Sequence, residues 1–133
     1  MLDIDGCWRY FNDQVIHSIL KRGYIAASID RTQVAADNKD SYRNTGLYRL
    51  FPSAKFGVCA AWAWAVHRSV DALITIERVN SEAIAITGHS RGGKTALLAG
   101  ATDERVAITN PNNSGVGGAA PNRLKMKGSE VID

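Results

Sequence analysis

Residues 85–95 read Ala85-Ile86-Thr87-Gly88-His89-Ser90-Arg91-Gly92-Gly93-Lys94-Thr95, AITGHSRGGKT, and satisfy two unrelated motifs with the same letters. As G-x-S-x-G, through Gly88, Ser90 and Gly92, the stretch is a nucleophile elbow that raises a serine above a sheet. As G-x-x-x-x-G-K-[ST], through Gly88, Gly93, Lys94 and Thr95, it is a loop that cradles phosphates. Both chemistries place glycines between a strand and a helix, so the surrounding chain has to choose between them.

Working outward, Ala83–Thr87 reads as a strand and Lys94–Ala101 as a helix. Val106–Thr109 reads as another strand, followed by the turn-rich loop Asn110–Gly118, NPNNSGVGG. Upstream, Gly57 to about Thr75 is alanine-rich and apolar on most sides, which predicts a helix packed against a sheet. Its Trp62 and Trp64 are two positions apart and point to different faces; both read as packing residues rather than a sugar platform. From Asn12 or Asp13 the apolar spacing Val15, Ile16, Ile19, Leu20, then Lys21, Arg22 and Gly23, predicts a capped helix. Tyr24–Ile29, YIAASI, reads as a buried strand ending at Asp30. Residues 31–56 read as a long polar loop, of the kind that is functional or hides an element. Strands alternating with helices predict an α/β fold: a parallel sheet with right-handed crossovers and its ligand site at the carboxyl ends of the strands.

The length of 133 residues is that of one small domain, below the usual size of a complete hydrolase or nucleotide-binding domain. With 45% hydrophobic and 22% charged residues the composition is that of a globular protein. The net charge of +3 is modest and the basic residues are scattered, which argues against a nucleic-acid partner. The opening MLDIDGCWRYF carries no apolar secretory signal, and no segment reaches the roughly 18 apolar residues of a membrane span. These features predict a chain neither exported nor anchored. Cys7 and Cys59 lack metal-ligand spacing and read as free thiols, so no metal and no cofactor is expected.

A phosphate loop needs an acid to hold magnesium at the end of another strand. The strand after the motif ends in Ile108-Thr109-Asn110, without a carboxylate, and Asp30 would lie upstream of the loop, an uncommon order. The elbow requires small neighbours around a strained serine, which Gly88 and Gly92 supply, and it aims the Arg91 backbone N–H at a developing oxyanion. The elbow is the favoured reading, with nucleotide binding as a lesser alternative.

The residues TGHSRGGKTALLAGATDERVAI, with NNSGVGGAA shortly after, resemble the glucuronoyl esterases of carbohydrate esterase family 15, particularly their bacterial branch. Upstream, RGYIAAS, LYRLF and AAWAWAVHRSVDAL are similar to segments preceding the elbow in that family. The resemblance runs from about Trp8 to Glu130. It implies an α/β-hydrolase fold, three-layered with crossover helices, and cleavage of esters between glucuronic acid on xylan and lignin alcohols. Carried over, it makes Ser90 the nucleophile, Arg91 the oxyanion residue through side chain and backbone, and Lys94 a ligand of uronic-acid hydroxyls. Members of the family are typically secreted or periplasmic.

The resemblance also marks departures. No histidine follows Ser90, while His17 and His67 fall in predicted helices and His89 adjoins the nucleophile. The position of the family's catalytic glutamate holds Asn113, and the positions of its frequent disulfide hold His89 and Val116. The three strands correspond to the fourth, fifth and sixth of the hydrolase sheet. The third belongs between the fourth and fifth, and Met1–Cys7 reads as a poor candidate for it, leaving a hole in the sheet. The ending KMKGSEVID, residues 125–133, resembles the start of a longer segment. The expectation is therefore a single partial domain over 1–133, the middle of an esterase, lacking N-terminal strands and the part with the histidine. The competing expectation is an α/β-hydrolase-like module that binds carbohydrate without turnover.

Overall fold

The computed structural model describes residues 1–121 and 123, so the 125–133 segment lies outside the described residues. Four parallel strands form one sheet in the order β2-β1-β3-β4. They are β1 (Leu2–Asp3), β2 (Ala27–Ser28), β3 (Ile84–His89) and β4 (Val106–Asn112). β1 fills the position expected to be empty: Leu2 aligns with Ala27 on one side and Ile86 on the other, and Asp3 with Ser28 and Thr87. Two residues are too few for a periodic signal, and two aspartates in five residues read as loop. Successive side chains nevertheless point to opposite faces and both faces are covered, with Leu2 and Ile4 at 1% and 0% exposure and Asp3 and Asp5 at 1% and 0%. Asp3 is affordable there because it accepts the Asp5 N–H and the Ser28 hydroxyl, both at 3.1 Å.

The neighbouring strand is shorter than the sequence implies. Only Ala27 and Ser28 of the Tyr24–Ile29 run are extended in the sheet, and Tyr24 and Ile25 are exposed. β2 is an edge strand among the described residues and pairs only with a two-residue partner, so its flanking apolar residues have no sheet to enter.

The first helix, α1 (Asp13–Lys21), starts and stops as its sequence dictates. The Asn12 side chain accepts the Val15 N–H at 3.0 Å. At the other end the Tyr24 N–H reaches Ile19 O and the Gly23 N–H reaches Leu20 O, with Gly23 at φ 79°. The β1–α1–β2 crossover runs across the sheet opposite to the crossovers made by α3 (Val58–Leu73) and α4 (Arg91–Thr102). With right-handed connections, α1 therefore lies on the face opposite α3 and α4, which gives three layers. The main core forms on the α3/α4 face, from Leu2, Ile4, Ile84 and Ile86 against Val66, Val70, Ala96 and Ala99.

The 31–56 stretch is a correction to the loop expectation. It folds into short helical turns at Arg31–Gln33 and Tyr42–Asn44 and the helix α2 (Leu47–Leu50). These close a second small core of Ala35, Tyr48, Ala61 and Trp62. Trp62 is fully buried, its Nε1 donating to Ala35 O at 2.8 Å, whereas Trp64 is 46% exposed. The two tryptophans thus point to different faces as read. Contacts between this turn-rich segment and Ala61 and Trp62 of α3, rather than a long periodic pattern of its own, hold this layer together, which is why periodicity missed it.

Candidate active site

β3 ends at His89 and α4 begins at Arg91, leaving Ser90 alone at the corner with φ 51° and ψ −116°. This region is costly for a residue with a Cβ, and it persists only because the neighbours fix both sides. The Ser90 N–H donates to Asn112 O at the end of β4 (3.0 Å), and Ser90 O accepts the Lys94 N–H (3.0 Å). The glycines of the motif are required by close approach. A side chain on Gly88 would overlap the Gly92 carbonyl and Ile4; one on Gly92 would run into the Asp5 carboxylate; one on Gly93 would press on Asn112 O and Ser114.

The same geometry removes the phosphate-loop alternative. Gly88 is inside the strand and Gly93 inside the helix, and a single residue, Ser90, rather than a loop separates the two elements. Successive N–H groups wrapped around a phosphate need that loop. The Asp30 carboxylate caps a turn, accepting the Thr32 N–H at 2.8 Å and its hydroxyl at 2.5 Å.

The N–H groups of Arg91, Gly92 and Gly93 form the first turn of α4, ahead of the first intrahelical bond, where a helix favours negative charge. Lys94, one turn along, is half-buried rather than solvated. Its Nζ lies 3.6 Å from where a Cβ on Gly115 would sit, so it reaches toward the glycine-rich loop, and Gly115 itself is at φ 61°. Asn113 directly follows β4 at φ 48° and is exposed, beside the strand end that holds Ser90. β4 runs through Asn112, past the Thr109 end expected from sequence, because its pairing with β3 continues to His89↔Asn112.

None of the three histidines takes the place of a base. The His89 ring packs on Tyr10 with centroids 4.8 Å apart, and His17 is exposed on α1. His67 Nε2 lies 3.3 Å from both Ala99 O and Thr102 Oγ1, joining α3 to α4.

Beneath the elbow lies a charged chain that the sequence reading did not single out. Asp5 follows β1; its Oδ2 accepts the His89 N–H at 2.6 Å and its Oδ1 accepts Arg31 Nε at 2.7 Å. Arg31 Nη1 lies 2.9 Å from Asp37 Oδ2, an ion pair out of hydrogen-bond alignment, and Asp37 Oδ1 lies 2.6 Å from Arg91 Nη1. The Arg31 guanidinium also sits 4.1 Å from the Trp62 ring. Burial alone would lower the Arg31 pKa, but the hydrogen bond to Asp5 and the charges of Asp37 and Asp5 raise it above its ordinary value. The available signal was the alternation Leu2-Asp3-Ile4-Asp5, which places acids at a strand end. Among the described residues no group of three or more His, Cys, Asp and Glu could hold a metal ion, and no helix is long and apolar enough to cross a membrane.

A strained serine between a parallel strand and a helix is shared by many hydrolases, and comparison narrows it. The family described as "Glucuronyl esterase, fungi" matches residues 7–131. The chain belongs to the glucuronoyl esterase family. The 4-O-methyl-glucuronoyl methylesterase of Cerrena unicolor is 41% identical over 119 residues, covering 84% of this chain and 25% of that enzyme. A carbohydrate esterase family 15 glucuronoyl esterase from Caldicellulosiruptor kristjansonii superposes with a TM-score of 0.79 at 33% identity, over 98% of this chain and 37% of that one. The Sporotrichum thermophile glucuronoyl esterase, solved with methyl 4-O-methyl-beta-D-glucopyranuronate, is 33% identical with a TM-score of 0.64, over 71% of this chain and 27% of that one. The chain spans about a quarter of the length of the curated relatives it matches. Within the glucuronoyl esterase family, the four strands make a continuous piece of an α/β-hydrolase sheet.

Proposed function

We propose that the protein is a serine carboxylic-ester hydrolase that cleaves esters between (4-O-methyl-)glucuronic acid of glucuronoxylan and lignin alcohols. The observation that carries this reading is Ser90 at φ 51° between β3 and α4 in a chain of this family. In this mechanism Ser90 Oγ attacks the ester carbonyl carbon and gives its proton to a histidine. The carbonyl oxygen becomes an oxyanion beside the Arg91 backbone N–H and guanidinium at the head of α4. Collapse of that intermediate expels the alcohol, which takes the proton from the histidine, and water then releases the uronic acid from the serine. Lys94, half-buried and reaching toward the Gly115 loop, binds hydroxyls of the uronic acid. No cofactor enters any step.

None of His17, His67 and His89 is given the role of the base, and Asn113 can orient an imidazole but cannot stabilise its charged form as a carboxylate does. We assign the base and the acid to the portion of the relatives' length that this chain does not span. The polymer substrate lies outside the cell, which is where we place the reaction.

The test is hydrolysis of methyl 4-O-methyl-glucuronate by the full-length native protein. Methanol and the free acid should form, and Ser90→Ala should abolish their formation. Turnover that survives Ser90→Ala would overturn the proposal. Saturable binding of the sugar without any turnover would favour the non-catalytic carbohydrate-binding module instead.

A further inference from the structure

We infer that Asp37, charged against Arg31, is a positioning residue that fixes the guanidinium of Arg91 at the oxyanion site. The inference rests on the reading of Arg91 as the oxyanion residue and extends it to residues outside the elbow.

The buried charges beneath Ser90 do not balance. The side chains of Asp5, Arg31 and Asp37 are 0%, 3% and 8% exposed, and together they sum to one negative charge. A buried cluster with an unbalanced charge is expensive, so it draws in a cation from the nearest element. Arg91 supplies it. Its Nη1 lies 2.6 Å from Asp37 Oδ1 while its side chain stays 53% exposed, so one end is anchored in the protein and the rest stays open to solvent. Arginine carries five donors in a rigid fork, and this pair engages Nη1, leaving Nε and Nη2 outside it. A long side chain that would otherwise sample many rotamers is thereby held before substrate arrives.

The cluster also fixes where Asp37 can stand. Arg31 is held on its other side by Asp5 and across its face by Trp62. Asp5 in turn accepts the N–H of His89, the residue before the nucleophile. The backbone before Ser90 and the side chain after it are therefore tied to one buried frame. A cation held only by solvent would gain its orientation during the reaction; one held by this frame has it beforehand.

The test is a double-mutant cycle on the full-length native protein with the methyl glucuronate ester. Arg91→Ala should lower kcat by about 100-fold, the usual loss for one oxyanion donor. Asp37→Asn should lower kcat by about 10-fold with KM changed less than about twofold, and should cost nothing further in the Arg91→Ala background. An equal cost of Asp37→Asn in both backgrounds, or no cost in either, overturns the inference while leaving the oxyanion reading in place. If Arg91→Ala itself leaves kcat unchanged, the oxyanion reading falls and takes the inference with it. Should Asp37→Asn not fold, or the protein not turn over the ester, nitrogen NMR of the wild-type Arg91 guanidinium decides. Slowed rotation about its Nε–Cζ bond is expected, and free rotation contradicts the pairing.

Discussion

The Asp5 carboxylate accepts the backbone N–H of His89 at 2.6 Å, across 84 positions of sequence, so the side chain after the central strand holds the residue before the elbow serine. The same carboxylate lies where a Gly92 side chain would go. Asp5 cannot yield, because Arg31 Nε binds its other oxygen at 2.7 Å and both groups are buried. Gly92→Ala should therefore destabilise the protein by about 3 kcal/mol, the upper range for overpacking a filled site. Gly57→Ala, where nothing lies within 4 Å, should cost less than about 1 kcal/mol, the loss of a good N-cap residue at the head of α3. Urea unfolding of the two variants checks the contrast.

Backbone strain at Ser90 gives a second expectation. At φ 51° and ψ −116° a Cβ is penalised and glycine is not. Ser90→Gly should be about 1 kcal/mol more stable than Ser90→Ala, although both should lack activity. Equal stabilities by thermal unfolding would mean that the elbow stores no such strain.

Cys7 makes stability fall at alkaline pH. Burial pushes its thiol from the ordinary 9.0 up to about 11, with the neighbouring Asp30 and Asp5 adding to the rise and Arg31 opposing it. The unfolded chain releases this proton near 9.0 while the folded chain keeps it to about 11. The contribution is fully present below 9.0 and is lost as the pH rises through that window. Melting temperatures measured across the window should drop more steeply for wild type than for Cys7→Ala, and parallel curves would contradict the burial argument.

Lys94 should act in binding rather than in chemistry. A cation that meets hydroxyls of the sugar does so in both ground state and transition state, so its loss raises KM and spares kcat. Lys94→Ala should raise KM about tenfold, worth about 1.4 kcal/mol, with kcat within about threefold. A fall in kcat at unchanged KM would move Lys94 to the reacting centre.

The parts of this fold that were legible in the sequence are those with local signals. The elbow has its glycines, α1 its caps, and α3 and β3 have apolar patterns long enough to show a period. β1 was not legible because two residues have no period, and its place is fixed by strands that arrive 25 and 84 positions later. The 31–56 segment reads as loop in sequence because its order comes from Tyr48 and Trp62 packing together, not from its own pattern. Ser90, Arg91 and Lys94 were candidates in the sequence because they sit in one motif. Asp5, Arg31 and Asp37 were not, because their pairings are with residues remote in sequence, and a charged residue in a polar stretch reads as solvated until its partner is known.

Covalent trapping tests whether Ser90 is the nucleophile. The full-length native protein treated with a fluorophosphonate should gain one adduct by mass spectrometry, on the peptide containing Ser90, and Ser90→Ala should gain none. An adduct that persists in Ser90→Ala, or a native Ser90 that stays unmodified while the protein hydrolyses glucuronate esters, would mean that Ser90 is not the nucleophile.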